Sequence, residues 1–432
     1  MNRFQARTIA LLTAATVVVL SGCGSKEDNA AETKVNQSSP VTLRITGQAV
    51  GSLLDEEFQQ VVGERLKAKY PHIKLEYVPE AKGTTLNELM ASGSTPDLIV
   101  TYTGALASYR DLELVFDMEP LFKARNMSLS RFDANYITDV RNASDKNELY
   151  GLPINVNYHA LYYNKDIFDK AGAPYPTDGM YWDDVLKLAK KVTRTDGSVQ
   201  YRGLDPGNTI IWMSQPLGVG ALDANDKVTI NNDMWKRVFE LAKAIYTIPG
   251  NELIAQSPKD QFMKSKTLGM LLDLNILNQL VAADKEGLRW DVAQYPSYPE
   301  KPNTYGNASV YTVIATKATK HQQDAVSVIE TMSSDEVQME LSKRGRLSPL
   351  ASDAIKQALG STNPGLKDKH LPSIFKSKPV PYPVASQYRS QGESIAITKF
   401  KEYLQGTIDV NQALSQAEEG IKQKLAEVKG AK

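Results

Sequence analysis

Fifty carboxylates and four histidines are the side chains best able to move protons or hold a metal, and their arrangement decides whether this 432-residue chain is built for catalysis. Glycoside hydrolysis needs two carboxylates about 5–5.5 Å apart for retention and about 6.5–9.5 Å apart for inversion. The adjacent acids Glu56–Glu57 and Asp183–Asp184 fall inside amphipathic helical patterns, where sequence neighbours do not share a face. They read as solvated helix positions. His72, His159, His321 and His370 are far apart and lack HExxH spacing, so no metal is expected. His159 lies in an alternating strand and reads as a satisfied strand histidine. Neither a G-x-S-x-G elbow nor a GxxxxGKS/T phosphate loop occurs, and no cofactor is implied. This is not the pattern of an enzyme.

The elements that would position binding residues alternate between strand and helix. "VTLRIT" (41–46) reads as a strand, and the next stretch carries Leu54, Phe58, Val62 and Leu66 at spacing four, one buried helical stripe. "IKLEYV" (73–78) alternates, with Ile73, Leu75 and Tyr77 on one face. A helix end, a turn at Gly93 to Pro96 and the strand "DLIVT" follow. Strand, helix, strand, helix, strand predicts an α/β fold with a largely parallel sheet. Such sheets bind ligands at the carboxyl ends of their strands, here "GQAVGS" (47–52) and "YTGAL" (102–106).

Cys23 is the single cysteine. Arg3 and Arg7 precede the apolar run 9–20, which is short for a membrane span. "LSGC" (20–23) then resembles a bacterial lipoprotein signal, with residues 1–22 removed and Cys23 lipidated. Residues 23–40 have almost nothing to bury and predict a disordered tether to the outer face of a cell membrane. With one cysteine the fold uses no disulfides, so its core must suffice. Without Arg3 and Arg7 the chain has 48 basic against 50 acidic residues, which excludes the basic character of a nucleic-acid binder.

The stretch "ELYGLPINVNYHALYYNKDIFDKAG" (148–172) is the most informative. With "KAKYPHIKLEYV", "ASGSTPDLIV", "KSKTLGMLLDLN", "LRWDVAQYPSYP" and "ATKHQQDAVSVIETMSSDEVQMELSKRGRLSP", it resembles the extracellular solute-binding proteins that deliver sugars to ABC importers. The resemblance implies a two-lobed, periplasmic-binding-protein-like fold of type II. Each lobe would be a mainly parallel sheet flanked by helices, and the lobes would be joined by a hinge of several crossings. It places residues 41–152 and 291–345 in the first lobe, and 153–290 and 346–432 in the second. Leu414, Ala417, Ile421, Leu425 and Val428 form the stripe of a closing amphipathic helix. The implied partners are a carbohydrate solute, the permease subunits of an ABC transporter and, through the lipid, a membrane; the receptor is expected to act as a monomer. An alternative of another class is a solute-sensing lipoprotein feeding a membrane sensor, and a secreted glycosidase stands third.

A sugar cleft mixes aromatic platforms with hydrogen-bonding side chains, and the chain holds 20 Tyr and 4 Trp. Candidates at predicted strand ends and crossings are Gln48, Tyr102, Asn155, Asn157, Tyr158, Trp212, Asp273, Asn275, Tyr305 and Tyr388. Asn155 and Asn157 share a face of the first crossing. Asn157 and Tyr158 fall where the family's first crossing contacts solute. Asp273 and Asn275 end an apolar strand, where an unpaired buried carboxylate is costly. Tyr388 follows "KPVPYPVASQ", which resembles the family's approach to a late stacking aromatic. Trp182 and Trp235 lie on apolar helical stripes and read as core. Arg344 is either a hinge ion-pair residue or a ligand clamp. The tryptophan many sugar binders carry after the "TLGMLLD" strand is replaced by "LNILNQL".

The anchor reading predicts that Cys23→Ser leaves the fold intact but releases or misprocesses the protein. Fractionation and the size of the processed chain check this; a membrane-bound variant of normal processed size refutes it.

Overall fold

The computed structural model of the protein describes residues 39–48, 51–382 and 386–430. The signal 1–22, Cys23 and the tether up to residue 38 lie outside the described residues. The strands are β1 (Val41–Gly47), β2 (Ile73–Val78), β3 (Leu98–Tyr102), β4 (Gly151–Asn157), β5 (Ala160–Asn164), β6 (Arg194–Asp196), β7 (Val199–Asp205), β8 (Leu268–Asp273), β9 (Trp290–Ala293), β10 (Thr304–Asn307), β11 (Ser309–Ala315) and β12 (Lys378–Val380).

The first β-α-β unit forms where periodicity places it. β1 pairs in parallel with both β2 and β3. Between them runs the helix Glu56–Lys69, whose N-cap Asp55 accepts from the Phe58 N–H at 2.9 Å, satisfying one orphan donor of the first turn. Phe58, Val61, Val62 and Leu66 are buried on its inner face.

Two five-stranded sheets result, β2-β1-β3-β11-β4 and β6-β7-β8-β5-β9, with β10 and β12 as a separate pair. The fold is α/β in two lobes, but the sheets are mixed rather than mainly parallel. β11 runs antiparallel to β3 and β4, and β5 antiparallel to β8 and β9. The cause is the connectivity: β4 carries the chain out of the first lobe and β11 brings it back, so adjacent crossing strands run in opposite directions.

Each lobe has its own core. One gathers Leu43, Ile45, Val100, Ile154, Val313 and Ile329; the other gathers Trp182, Trp235, Phe239, Leu271, Phe400 and Ile421. These cores and sheets move all three boundaries: the exit was expected at 152, but β4 pairs in the first sheet up to Asn157 and Ile154 packs in the first core. The return was expected at 291, but β9 pairs with β5 and Tyr295, Tyr298 and Tyr305 pack in the second core. The chain re-enters the first sheet only at Ser309, where β11 begins to pair with β4. Leu350 and Ile355, expected in the second lobe, pack in the first core. The chain has joined the second core by Leu359. The helix Val410–Gly430 closes the second lobe on Leu414, Ala417, Ile421 and Leu425. No helix among the described residues is long and apolar enough to cross a membrane.

Trp182, 2% exposed, packs its ring 5.8 Å from Tyr295 and 6.1 Å from Tyr298. Trp182→Ala is therefore expected to lose about 3–5 kcal/mol of unfolding free energy. Met234→Ala, at a side chain 45% exposed, is expected to stay within about 0.5 kcal/mol. Urea denaturation of both variants checks the contrast.

Candidate functional site

A cleft of about 830 Å³ opens between the lobes. Its first-lobe wall starts at Tyr102, the carboxyl end of β3, and continues through the turn Thr103–Ala105 to the helix Ala134–Arg141 and its C-cap Asn142. The second-lobe wall is built by Trp212 from the helix Thr209–Ser214, by Gln215 and Asn307, and by Tyr382 and Arg389 from the segment after β12. A further cavity of about 750 Å³, within the second lobe, shares Gln215, Asn307 and Arg389 with the cleft.

Two glycines make these walls possible. A Cβ on Gly104 would collide with the Tyr382 hydroxyl and the Tyr102 ring. Gly207 has φ +76°, and a Cβ there would strike the Leu272 carbonyl and the Trp212 ring, so the turn before the tryptophan needs glycine on both counts. Trp212 meets His159 edge-on at 4.7 Å, and His159 stacks on Tyr305 at 5.4 Å. His159 lies between β4 and β5 rather than within a strand: a backbone hydrogen bond with Asn307 engages it, its Nδ1 has no partner, and it borders the cleft. Burial pushes its pKa down to about 3, so the imidazole is neutral at ordinary pH.

Charge on the lining is unequal. Asp111, Asp139, Asp145, Asp226 and Glu393 face Arg110 and Arg389. Arg110 Nη1 pairs with Asp145 at 2.9 Å, Arg389 Nε with Glu393 at 2.6 Å, and Lys429 with Asp226 at 2.7 Å. Asp139 accepts the Tyr382 N–H at 2.8 Å, and burial, the larger effect, pushes its carboxyl up to about 6.

Of the residues expected from sequence, Tyr102 and Trp212 line this cleft. Asn155, Asn157 and Asn275 are brought together at the hinge, where with Tyr311 and Arg346 they line a separate cavity of about 250 Å³. Their side chains stitch the crossings: Asn155 Nδ2 donates to the Leu347 carbonyl at 3.1 Å, Asn275 Nδ2 to the Gly345 carbonyl at 3.2 Å, and Asn157 Nδ2 to the Tyr311 hydroxyl at 3.0 Å. Asn157 Oδ1 accepts the Asn275 N–H at 2.8 Å. Arg344 takes the ion-pair role, 2.7 Å from Glu340 and 3.3 Å from Glu57.

The other candidates are not on the cleft. Tyr158 and Tyr305 are enclosed in the second core, 1% and 2% exposed. Asp273 is buried and pairs with Lys259 at 3.3 Å, so its cost is met by a cation from its own lobe. Gln48 is buried and donates to Thr46 Oγ1 at 3.0 Å. Tyr388 is buried with the Lys429 ammonium 5.5 Å from its ring centroid. Asp139, Asn142 and Tyr382 were missed. Tyr382 lies in the same "KPVPYPVASQ" stretch that pointed to Tyr388, and no periodicity separates Asp139 from acids on solvated helix faces.

A binding protein of Brucella abortus is 25% identical over 191 residues, 42% of this chain and 46% of its own length. The chain thus spans about half the length of that relative. The arabinooligosaccharide-binding protein of Bacillus subtilis is 27% identical over 192 residues, 42% of either chain. In solved structures, an ABC substrate-binding protein of Listeria monocytogenes in complex with cycloalternan has the same fold. It has a TM-score of 0.72 and 20% identity, and the match covers 90% of this chain and 100% of that one. Residues 51–339, well over half of the chain, match the bacterial extracellular solute-binding protein family. With two mixed-sheet lobes, three chain crossings and a cleft between them, the chain belongs to that family, which is one of binding proteins rather than enzymes.

Proposed function

We propose that the protein is the extracytoplasmic receptor of an ABC importer and that its cargo is a carbohydrate. The observation that carries this reading is the composition of the interlobe cleft: the rings of Trp212, Tyr102 and Tyr382 stand beside the amides of Asn142, Gln215 and Asn307. Rings pack on the C–H faces of a sugar, and amides answer hydroxyls as donor and acceptor at once. Carboxylates outnumber arginines on the lining by five to two, which favours an uncharged solute over a phosphorylated or acidic one. The adjoining 750 Å³ cavity leaves room for more than one sugar unit. The arabinooligosaccharide-binding relative supports the same class.

In this reading the lobes close on the solute and the loaded form presents both lobe surfaces to the permeases. Closure needs contacts that are better in the closed state than in the open one, which singles out solute held by Trp212 on one wall and Tyr102 on the other. Cys23 carries the lipid that holds the receptor at the membrane, and the chain works as a monomer.

A thermal-shift screen of the 41–432 fragment tests the cargo: a sugar at 100 times its dissociation constant adds about 2.7 kcal/mol. Stabilisation by peptides or anions but by no mono- or oligosaccharide would reject it.

Trp212→Ala is expected to weaken binding by about 1–2 kcal/mol through loss of a ring face, with a smaller loss of stability than Trp182→Ala because the side chain is only partly buried. Titration calorimetry with the sugar found in the screen measures this. Unaltered affinity would remove Trp212 from the site.

A further inference from the structure

Tyr382 follows a second-lobe strand, yet its backbone is held by the first lobe. The residue before it is anchored at home: β12 pairs with β10, and Asn307 Nδ2 donates to the Pro381 carbonyl at 2.9 Å. At the other end of that same peptide the holder changes. Asp139 Oδ1 accepts the Tyr382 N–H at 2.8 Å, and Asn142 Nδ2 donates to the Tyr382 carbonyl at 3.0 Å. Positions 139 and 142 are three apart at the end of one helix and so share a face. Both backbone groups of a single residue are gripped by two side chains from the opposite wall. The ring is fixed as well, its hydroxyl against Gly104 and accepting from Arg389 Nη1 at 3.0 Å.

We propose that Asp139 and Asn142 are positioning residues that clamp the Tyr382 peptide across the cleft, setting the separation of its walls and hence the grip on a neutral, hydroxyl-rich solute. The affinity half rests on the carbohydrate reading; the clamp does not. A handover within one peptide unit leaves little slack, because that unit is planar and only the torsions on either side of it are free.

Asp139 also gives the clamp a pH signature. Facing its carboxyl are Asp133 and Tyr136 on its own helix, Tyr305 from β10, and Tyr382 with Arg389 behind it. Burial and Asp133 hold the carboxyl up at about 6, against the Tyr382 N–H. A carboxyl raised on folding adds stability below its unfolded pKa, and that stability is lost as pH rises through about 6. The ionised oxygen is nevertheless the stronger acceptor, so the local grip on the Tyr382 N–H tightens over the same range. A merely structural Asp139 would show the first trend without the second.

Hydrogen–deuterium exchange of the full chain without solute reads the clamp directly. Asp139→Ala and Asn142→Ala are each expected to speed exchange of peptides containing Tyr382 about 10-fold, the loss of one hydrogen bond, and to leave the second core unchanged. Asp139→Asn keeps an acceptor and should stay within about 2-fold of wild type, with no titration between about pH 5 and 7. Given a sugar from the thermal screen, both alanine variants should bind it about 10-fold more weakly. Wild-type protection around Tyr382 in both alanine variants, or a uniform rise across the chain, overturns the clamp. Lost protection with unchanged affinity overturns its role in solute grip. A screen that yields no sugar rejects the carbohydrate reading and leaves the exchange result to stand on its own.

Discussion

The lobes are two distinct hydrophobic bodies whose crossings are tied by polar side chains, with Tyr136 packed against both cores, and the function of the molecule depends on that division. Apolar packing is dense within each core, whereas the crossings are tied by Asn155, Asn157 and Asn275 to backbone carbonyls and to one another. A hydrogen bond that exchanges with water nets only about 0.5–1.5 kcal/mol, while buried apolar side chains are worth about 1.5–3 kcal/mol each. The joint is accordingly soft where the lobes are hard. Had the two cores been continuous, moving one lobe against the other would expose apolar surface, and no small solute could offset that.

Much of this was legible in the sequence. The first β-α-β unit, the Trp182 helix and the C-terminal helix have one wet and one dry face, so periodicity marks them. What failed is equally physical. β4 and β5 are buried along their whole length, so alternation says nothing about which side chains reach the cleft, and Tyr158 was assigned outward when it points into the core. The boundary near 291 failed because β9 is recognised by its partner β5, a pairing across more than a hundred residues that no local window contains. Arg344 could be read as hinge or ligand residue until Glu57 and Glu340 were seen beside it.

The missed residues have a common cause. Asp139 is an acid in an amphipathic helix, by composition the most ordinary of positions; its meaning comes from Tyr382, some 240 residues away. Pairings between lobes are the contacts a single sequence hides best, because neither segment carries the other's pattern. The family's motifs located the crossings and predicted the two lobes, but those motifs mark backbone passages, and most residues lining the interlobe cleft lie outside them.

The two walls of the cleft also differ in kind. On the second lobe Trp212 rests on His159, which is stacked on Tyr305 inside the core, and burial keeps that imidazole neutral. This platform carries no charge at ordinary pH and does not move without disturbing a packed interior. On the first lobe the wall rests on a short helix whose Asp139 carboxyl burial raises to about 6, and which reaches the second lobe through the Asp139 and Asn142 hydrogen bonds and the packing of Tyr136. A neutral solute meeting these surfaces finds one platform already formed, so less ordering opposes its binding there. The polar wall contributes position instead, because Asp139 and Asn142 hold the Tyr382 backbone opposite that platform.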